Sequence, residues 1–436
     1  MAKQVNVGVI GCGIVGRGTI ETLLKNKETI LQKSGISVNL VGIADIRIDN
    51  NDELLNGVAI KTTDAMELIN NPEIDIIVEL IGGYTHAKTF ILAAIEQGKH
   101  VVTANKALLA THGKEIFNKA IEKGVQVAFE ASVGGGIPII KVLKEDLAAN
   151  NIEEIDGIIN GTANYILTRM IQEGKDYKDV LADAQKLGYA EADPTFDVQG
   201  IDSAHKLTLL SSIAFGTWVE FDKVYTEGIT NISTVDIDFA KELDCTIKLL
   251  AIAKKRNGSI EVRVHPTMIP NRFQLAAVND VFNAVQVKGD VVGTTLHYGR
   301  GAGGTPTSSA VVADIVNIAR DIVSGCKERV PALGFAQAIE SHYPIVNIDD
   351  TVSSFYMRFN VEDNPGVLST IAGIMSLNNV SISSAIQRGK EGQDGLPLVF
   401  LTHNATGKQI RNAVDEIDKL PFIKDKTVVI RVEGLR

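Results

Sequence analysis

The run VNVGVIGCGIVGRGTI (5–20) constrains the fold more than any other part of the chain. An apolar stretch, Val5 to Ile10, leads without a break into Gly11-x-Gly13-x-x-Gly16, and a helical pattern follows. Continuous apolar residues read as a strand buried on both faces. The glycines permit a tight turn and let the backbone approach a pyrophosphate at the N-terminus of the next helix. A bare G-x-G-x-x-G is a weak signal, but strand–turn–helix context makes it a dinucleotide-binding fingerprint. Gly11, Gly13, Ile14, Val15 and Gly16 are therefore the residues expected against a cofactor.

The alternation continues beyond the fingerprint. Strands are expected at Val38–Ala44, Asp75–Leu80, His100–Ala104 and Val125–Ala131. Helical patterns such as AKTFILAAIEQG and GKEIFNKAIEKG separate them, and one long helix should follow the fingerprint. This order implies an α/β fold of the Rossmann type, a doubly wound parallel sheet with right-handed crossovers, over residues 1–135. The cluster Gly134-Gly135-Gly136 punctuates the change into an α+β domain over 136–300. A second cluster, Gly299 to Pro306, opens a helix apolar on one face. It reads either as a plain turn or as a return of 300–330 to the first domain. Residues 331–353 read as a linker. From 354 to 436 the pattern is βαββαβ, a ferredoxin-like unit.

Length and composition agree with this division. At roughly 150 residues per domain, 436 residues suggest about three domains. Fifty-three acids against 43 Lys and Arg leave a net charge of −10, which argues against a nucleic-acid partner. Cys12, Cys245 and Cys326 are odd in number and far apart, so neither a disulfide framework nor a zinc cluster is suggested. That usage fits a reducing, cytoplasmic compartment. No apolar run is long enough to span a membrane, and none has the form of a signal peptide.

Four further motifs carry chemistry. Asp45 stands at the end of the second strand, where an acid binds a ribose hydroxyl, and Arg47 two residues on could hold a 2′-phosphate. Thr103, near the end of the fourth strand, and Lys106, just past it, lie at the carboxyl edge where open α/β sheets bind ligands. A solvent-facing loop lysine is the alternative. The loop Glu130 to Ile137 offers one carboxylate and several exposed carbonyls, suited either to a hard cation or to a plain hinge. The stretch 188–207 packs Glu191, Asp193, Asp197, Asp202 and Lys206 together. Asp202 and Lys206 are spaced i, i+4 and share a helix face. That helix is otherwise apolar, so a lysine on it needs a partner. His205 is assigned no role.

Taken together, GCGIVGRG, TANKALLA, FEASVGGGIPII, IINGTANYIL, GYAEADPTFDVQGIDSAHKL and GRGAGGTPTSSAVVADI resemble the homoserine dehydrogenase family over almost the whole chain. FNVEDNPGVLSTIAGI with NNVSI resembles an ACT domain, an amino-acid-sensing module. The resemblance implies interconversion of homoserine and aspartate 4-semialdehyde with NAD or NADP, NADP being favoured, on the branch to threonine, isoleucine and methionine. It makes 136–300 the catalytic and dimerisation domain. By family position Gly188, Gly303 and Lys106 join the cofactor residues, and Thr103, in the same motif as Lys106, is counted with them. Glu191 and Asp202 match substrate-binding acids, Asp197 another acid of the site, and Lys206 the proton-transferring lysine. Glu130 with the carbonyls of Val133, Gly135 and Ile137 matches a monovalent cation site, usually sodium. Lys106 and Lys206, drawn from separate lobes, are expected to converge beside the nicotinamide.

Two other classes compete: a Rossmann amine dehydrogenase of an amino-acid pathway, and a non-enzymatic nucleotide and amino-acid sensor. The intact Lys and acid constellation counts against both. The Asn364-Pro365-Gly366 turn opening an apolar helix is the expected effector site, with threonine as effector. A purely structural dimerisation module is the alternative there. The family resemblance implies a homodimer or homotetramer.

Overall fold

The computed structural model describes residues 3–49, 51–336, 339–388 and 395–434. In the first stretch the elements are β1 (Lys3–Ile10), α1 (Ile14–Lys25), α2 (Lys27–Ser34), β2 (Ile36–Ala44), β3 (Ile60–Thr62), α3 (Ala65–Ile69), β4 (Ile76–Glu79), α4 (Thr85–Glu96), β5 (His100–Thr103), α5 (Lys106–Lys123) and β6 (Val127–Ala128). The middle stretch continues with α6 (Ile139–Lys141), β7 (Ile152–Ile158), α7 (Gly161–Glu173), α8 (Tyr177–Lys186), α9 (Thr195–Val198), α10 (Ile201–Phe215), β8 (Tyr225–Thr226) and α11 (Thr234–Glu242). It ends with β9 (Cys245–Arg256), β10 (Ser259–Pro270), β11 (Phe282–Gly289), β12 (Gly293–Arg300) and α12 (Gly304–Ser324). The last stretch holds β13 (Val352–Val361), α13 (Val367–Leu377), β14 (Ile382–Gln387), β15 (Leu396–Thr402), β16 (Ala405–Thr406), α14 (Gly407–Ile417) and β17 (Val428–Val432).

These elements form two compact units. The first comprises residues 1–161, 202–224 and 282–343, and the second 162–201, 225–281 and 344–436. The first unit contains a parallel sheet in the order β3-β2-β1-β4-β5-β6. That is the strand order of a dinucleotide-binding sheet, whose crevice lies at the carboxyl ends where the order reverses between β1 and β4. Val5, Val7 and Val9 of β1 share one core with Val311, Ile315 and Ile318 of α12, so this late helix belongs to the sheet's cover. The same unit carries the antiparallel strands β12-β11-β7.

In the second unit β9 and β10 form a long hairpin. The C-terminal strands run β17-β13-β15-β14, the 4-1-3-2 order of a ferredoxin-like sheet, with α13 and α14 closing its core around Phe355, Phe359, Ile371, Phe400 and Ile410. β17 also pairs in parallel with β10, Thr267 opposite Arg431 and Met268 opposite Val432. The C-terminal sheet and the hairpin are thus one hydrogen-bonded sheet.

Three local expectations change. The strand expected over 125–131 shrinks to Val127–Ala128. Glu130 pulls the chain out of the sheet: its N–H donates to Asp314 Oδ2 and its two carboxylate oxygens accept the N–H groups of Ile140 and Lys141. The single long helix after the fingerprint is two helices, broken at Asn26, which leaves helical angles (φ −100°, ψ 17°). A short strand, β3, extends the sheet edge and has too few residues to show a pattern in sequence.

Candidate active site

Two of the fingerprint glycines, Gly11 and Gly16, stand where nothing larger fits. Gly11 has φ +102°, and a Cβ on it would stand 2.7 Å from the Leu80 carbonyl carbon; on Gly16 it would stand 2.0 Å from the Gly11 carbonyl oxygen. Gly13 is the N-cap of α1, and a Cβ there would meet nothing within 4 Å. α1 has no side-chain cap and no acid in its first turn, so its leading N–H groups are left for an anion. Ile14 is 79% exposed beside them, and Val15 is half-buried. A dinucleotide phosphate fits this cradle on backbone grounds alone. Gly303, at φ +116°, is the N-cap of α12, and the neighbouring Gly304 packs on the Ile14 carbonyl. The second glycine cluster therefore lies against the fingerprint helix.

Asp45 follows β2 directly. Its Oδ2 accepts the Cys12 N–H at 2.6 Å and its Oδ1 the Arg47 N–H at 2.8 Å. The carboxylate thereby ties the fingerprint turn to the end of β2, and the Arg47 side chain is exposed beside it.

The chemical centre of the first unit is a buried acid shared by two lysines. Asp202, in the first turn of α10, accepts from Lys206 Nζ at 2.6 Å and from Asn160 Nδ2 at 2.9 Å. Lys106 Nζ stands 3.3 Å from its other oxygen. Lys206 Nζ also donates to the Ile159 carbonyl at 2.6 Å. An ammonium has three N–H donors, so these contacts leave one for an incoming oxygen. Lys206 is 10% exposed and Lys106 33%. Burial pushes the Asp202 carboxyl up, but Lys206 and Lys106 outweigh it and hold the acid well below its ordinary range. His205 stacks on Phe221 at 4.2 Å, and burial pushes its imidazole down to about 4. It is neutral near pH 7, as suits a packing residue. Lys106, Asp202 and Lys206 all lie in one compact unit, not in separate lobes.

Sequence reasoning missed a second buried acid. Glu79, the last residue of β4, is 0% exposed. It accepts the Thr103 hydroxyl at 2.7 Å, the Ile81 N–H at 2.8 Å and the Gly82 N–H at 3.3 Å. Thr103 Oγ1 in turn accepts the Asn105 N–H, and Asn105 donates to the Gly83 carbonyl and caps α5 at Leu108. Burial raises the Glu79 carboxyl, and these three donors offset it in part. Thr103, expected among the cofactor residues, is fully buried, and its hydroxyl serves Glu79 and Asn105 instead. This chain of bonds joins the ends of β4 and β5 and fixes the start of α5, where Lys106 is the first residue.

The Glu130 loop is buried through Gly135, and Gly134 and Gly135 both adopt positive φ. A Cβ on Gly135 would lie 2.6 Å from the Gly301 carbonyl. Burial pushes the Glu130 carboxyl up to about 7 and that of Asp314 up to about 8. Among the described residues no group of three or more His, Cys, Asp or Glu could hold a metal. Gly188, Glu191 and Asp197 belong to the second unit. Gly188 and Glu191 are exposed between α8 and α9, and Asp197 is half-buried within α9.

A dinucleotide cradle and a lysine-pinned carboxylate in the first unit define the class, an NAD(P)-dependent oxidoreductase, and the second unit adds a ferredoxin-like C-terminal sheet. Comparison with known proteins makes this specific. The NAD-binding domain profile of homoserine dehydrogenase matches residues 11–130, the homoserine dehydrogenase profile matches 138–316, and the ACT domain profile matches 355–422. The homoserine dehydrogenase of Pseudomonas aeruginosa is 50% identical, over 99% of this chain and 100% of its own. A crystal structure of a homoserine dehydrogenase from Thiobacillus denitrificans superposes with a TM-score of 0.94 at 46% identity, covering 100% of this chain and 99% of that one. A hyperthermophilic archaeal homoserine dehydrogenase in complex with NADPH covers 72% of this chain and 97% of its own, at 27% identity and a TM-score of 0.61. The chain belongs to the homoserine dehydrogenase family.

Proposed function

We propose that the chain interconverts L-homoserine and L-aspartate 4-semialdehyde through Lys206 and Lys106. One observation carries this reading: two ammonium groups share the buried Asp202, and one of them opens α5 at the carboxyl edge of the dinucleotide sheet. A bound nicotinamide supplies or receives the hydride. In the reducing direction negative charge develops on the aldehyde oxygen. The third N–H of Lys206 stabilises that charge and delivers the proton; in the oxidising direction the same nitrogen takes it back. Asp202 stays ionised and holds both ammonium groups in place. Lys106, the more exposed of the two, reaches the same oxygen. Glu191 is the acid for the substrate ammonium, and Asp197 supports that side.

Gly11, Gly13, Ile14, Val15, Gly16, Gly188 and Gly303 line the cofactor in this reading. Thr103 acts by positioning through Glu79. Thr103→Val should therefore lower kcat about tenfold, roughly the 1.4 kcal/mol of one hydrogen bond. The homoserine KM should change little. A shift in KM alone would point to substrate binding instead.

NADP is the favoured cofactor, because both Asp45 oxygens already accept backbone N–H groups and the exposed Arg47 is at hand for a 2′-phosphate. Steady-state homoserine oxidation with NADP and NAD separately tests function and preference together. Arg47→Ala should raise KM for NADP about tenfold, a charge-assisted contact's worth, and leave NAD unchanged. No turnover with either cofactor would end the assignment.

The loop Glu130, Val133, Gly135 and Ile137 would hold a monovalent cation, sodium, through its carbonyls. A cation there would favour the ionised forms of the buried Glu130 and Asp314, whose carboxyls burial otherwise pushes up. The ACT domain would take threonine at the Asn364-Pro365-Gly366 turn, where Gly366 at φ +94° caps α13; a threonine titration in the same assay reads it. Exposed Val291 and Tyr298 beside and on β12, and Leu368 and Leu377 on α13, favour a homodimer or homotetramer. Among the described residues no helix is long and apolar enough to cross a membrane. Free Cys12, Cys245 and Cys326 suit the cytoplasm. In domain terms we read 1–135 with 300–330 as the cofactor domain, 136–300 as catalytic, and 354–436 as ACT after a linker at 331–353. The packing of α12 on β1 favours the second segment's place in the first domain.

A further inference from the structure

Glu191, read above as the acid for the substrate ammonium, is exposed and lies in no helix or strand, on the turn between α8 and α9. An exposed carboxylate on a loose turn offers an ammonium little, because binding must also order the segment that carries it. This turn is not loose. It is held at three places, each by groups of the second unit. The N–H groups of Tyr189 and Ala190 both donate to the Ala184 carbonyl, at 2.9 and 3.2 Å. The Tyr189 carbonyl accepts the Thr162 hydroxyl at 2.8 Å, and the Tyr189 ring packs on Tyr165 with centroids 4.8 Å apart.

The third hold falls on Glu191 itself. Gln185, half-buried in the last turn of α8, donates from Nε2 to the Glu191 carbonyl at 3.1 Å and to the Ala192 carbonyl at 3.3 Å. A side-chain amide nitrogen carries two N–H groups, so each carbonyl has its own donor. Two consecutive carbonyls thus point at one atom. Their dipoles repel, and without the shared donor the planar peptide between residues 191 and 192 is free to turn about its soft dihedrals. That peptide leaves the same Cα as the Glu191 side chain, so its orientation fixes where the carboxylate stands.

We propose that Gln185 is a positioning residue for the reaction, setting the backbone of Glu191 so that its carboxylate is in place for the ammonium that homoserine and aspartate 4-semialdehyde share. The proposal rests on the reading of Glu191 as the ammonium partner. Thr162 and the Ala184 carbonyl hold the start of the turn without Gln185, so loss of the amide loosens Glu191 locally. Lys106, Asp202 and Lys206 belong to the other unit and keep their own bonds to one another.

Steady-state kinetics of the full chain carrying Gln185→Met, Glu191→Ala or both tests the proposal. Methionine keeps the length of the side chain and removes both donors, a change that a half-buried position tolerates. In Gln185→Met the homoserine KM should rise about tenfold, as expected for the loss of two neutral hydrogen bonds, while kcat and the KM for NADP stay within about twofold. In the Glu191→Ala background the same substitution should change the homoserine KM by less than about twofold, because the carboxylate it places is gone. A merely structural side chain would add its full effect in both backgrounds, and that additivity overturns the proposal. So does a wild-type KM in Gln185→Met when Glu191→Ala raises it. An unchanged KM in Glu191→Ala alone removes the reading of Glu191 itself, and the role of Gln185 falls with it.

Discussion

Lys206→Ala is expected to lower kcat by about two orders of magnitude or more, at least about 2.7 kcal/mol of transition-state stabilisation, in a protein that still folds. The loss follows from the position of Nζ. It is held by the Ile159 carbonyl and Asp202, with its remaining donor free for the reacting oxygen. Alanine removes both the charge and the proton. The fold should survive because Asp202 keeps Lys106 and Asn160 as partners, so no buried charge is stranded. Lys206→Arg separates the two contributions. It restores the positive charge, but a guanidinium does not give up its proton at working pH. It should therefore stay well below wild type. Circular dichroism and the melting temperature report folding, and steady-state kinetics reports turnover. A folded Lys206→Ala enzyme with near-normal kcat would place the proton transfer elsewhere.

What could be read before the structure was local. The fingerprint, the i, i+4 pair Asp202–Lys206 and the βαββαβ pattern each lie within a short window, and each follows from helix or strand geometry. The features that were not legible join distant residues. A glutamate ending an apolar strand gives no sign that Thr103, 24 positions on, will bond to it. Asn160 meets Asp202 only because the end of β7 and the start of α10 come together. The shortened β6 has the same origin, since Glu130 is drawn aside by Asp314 from 184 residues away. The expectation of separate lobes for the two lysines failed for a related reason. The linear domain order hides the fact that 202–224 and 282–343 fold with the first 161 residues. The two-residue pairing of β17 with β10 likewise has no sequence signature, although it makes one sheet of two domains.

That pairing leads to the second expected result. Glu433→Ala should destabilise the second unit by about 3 kcal/mol at pH 7, near the lower end of what breaking a buried ion pair costs. Glu433 follows β17, and its carboxylate accepts from Arg263 Nη2 at 2.7 Å and from Lys254 Nζ at 2.8 Å. Both cations are buried, Arg263 at 1% exposure. Beside them His265 is also buried, with Nε2 2.7 Å from Arg263 Nη1, so it accepts there as the neutral imidazole and adds no compensating charge. Glu261, 3.5 Å from Arg263, supplies partial relief. Burial pushes the Glu433 carboxyl up, but Arg263 and Lys254 draw it down to about 2 from an ordinary 4.5. A lowered carboxyl contributes stability that is present above its unfolded value and lost as pH falls towards the folded one. The gap in melting temperature between wild type and Glu433→Gln should therefore be constant from neutral pH to about 5. It should then close as pH approaches about 2. At about 2–4 °C per kcal/mol for a unit of this size, the neutral gap for Glu433→Ala is roughly 6–12 °C. Identical melting at pH 7 would mean that the carboxylate does not secure the C-terminal strand, and that the hydrogen bonds between β17 and β10 hold without it.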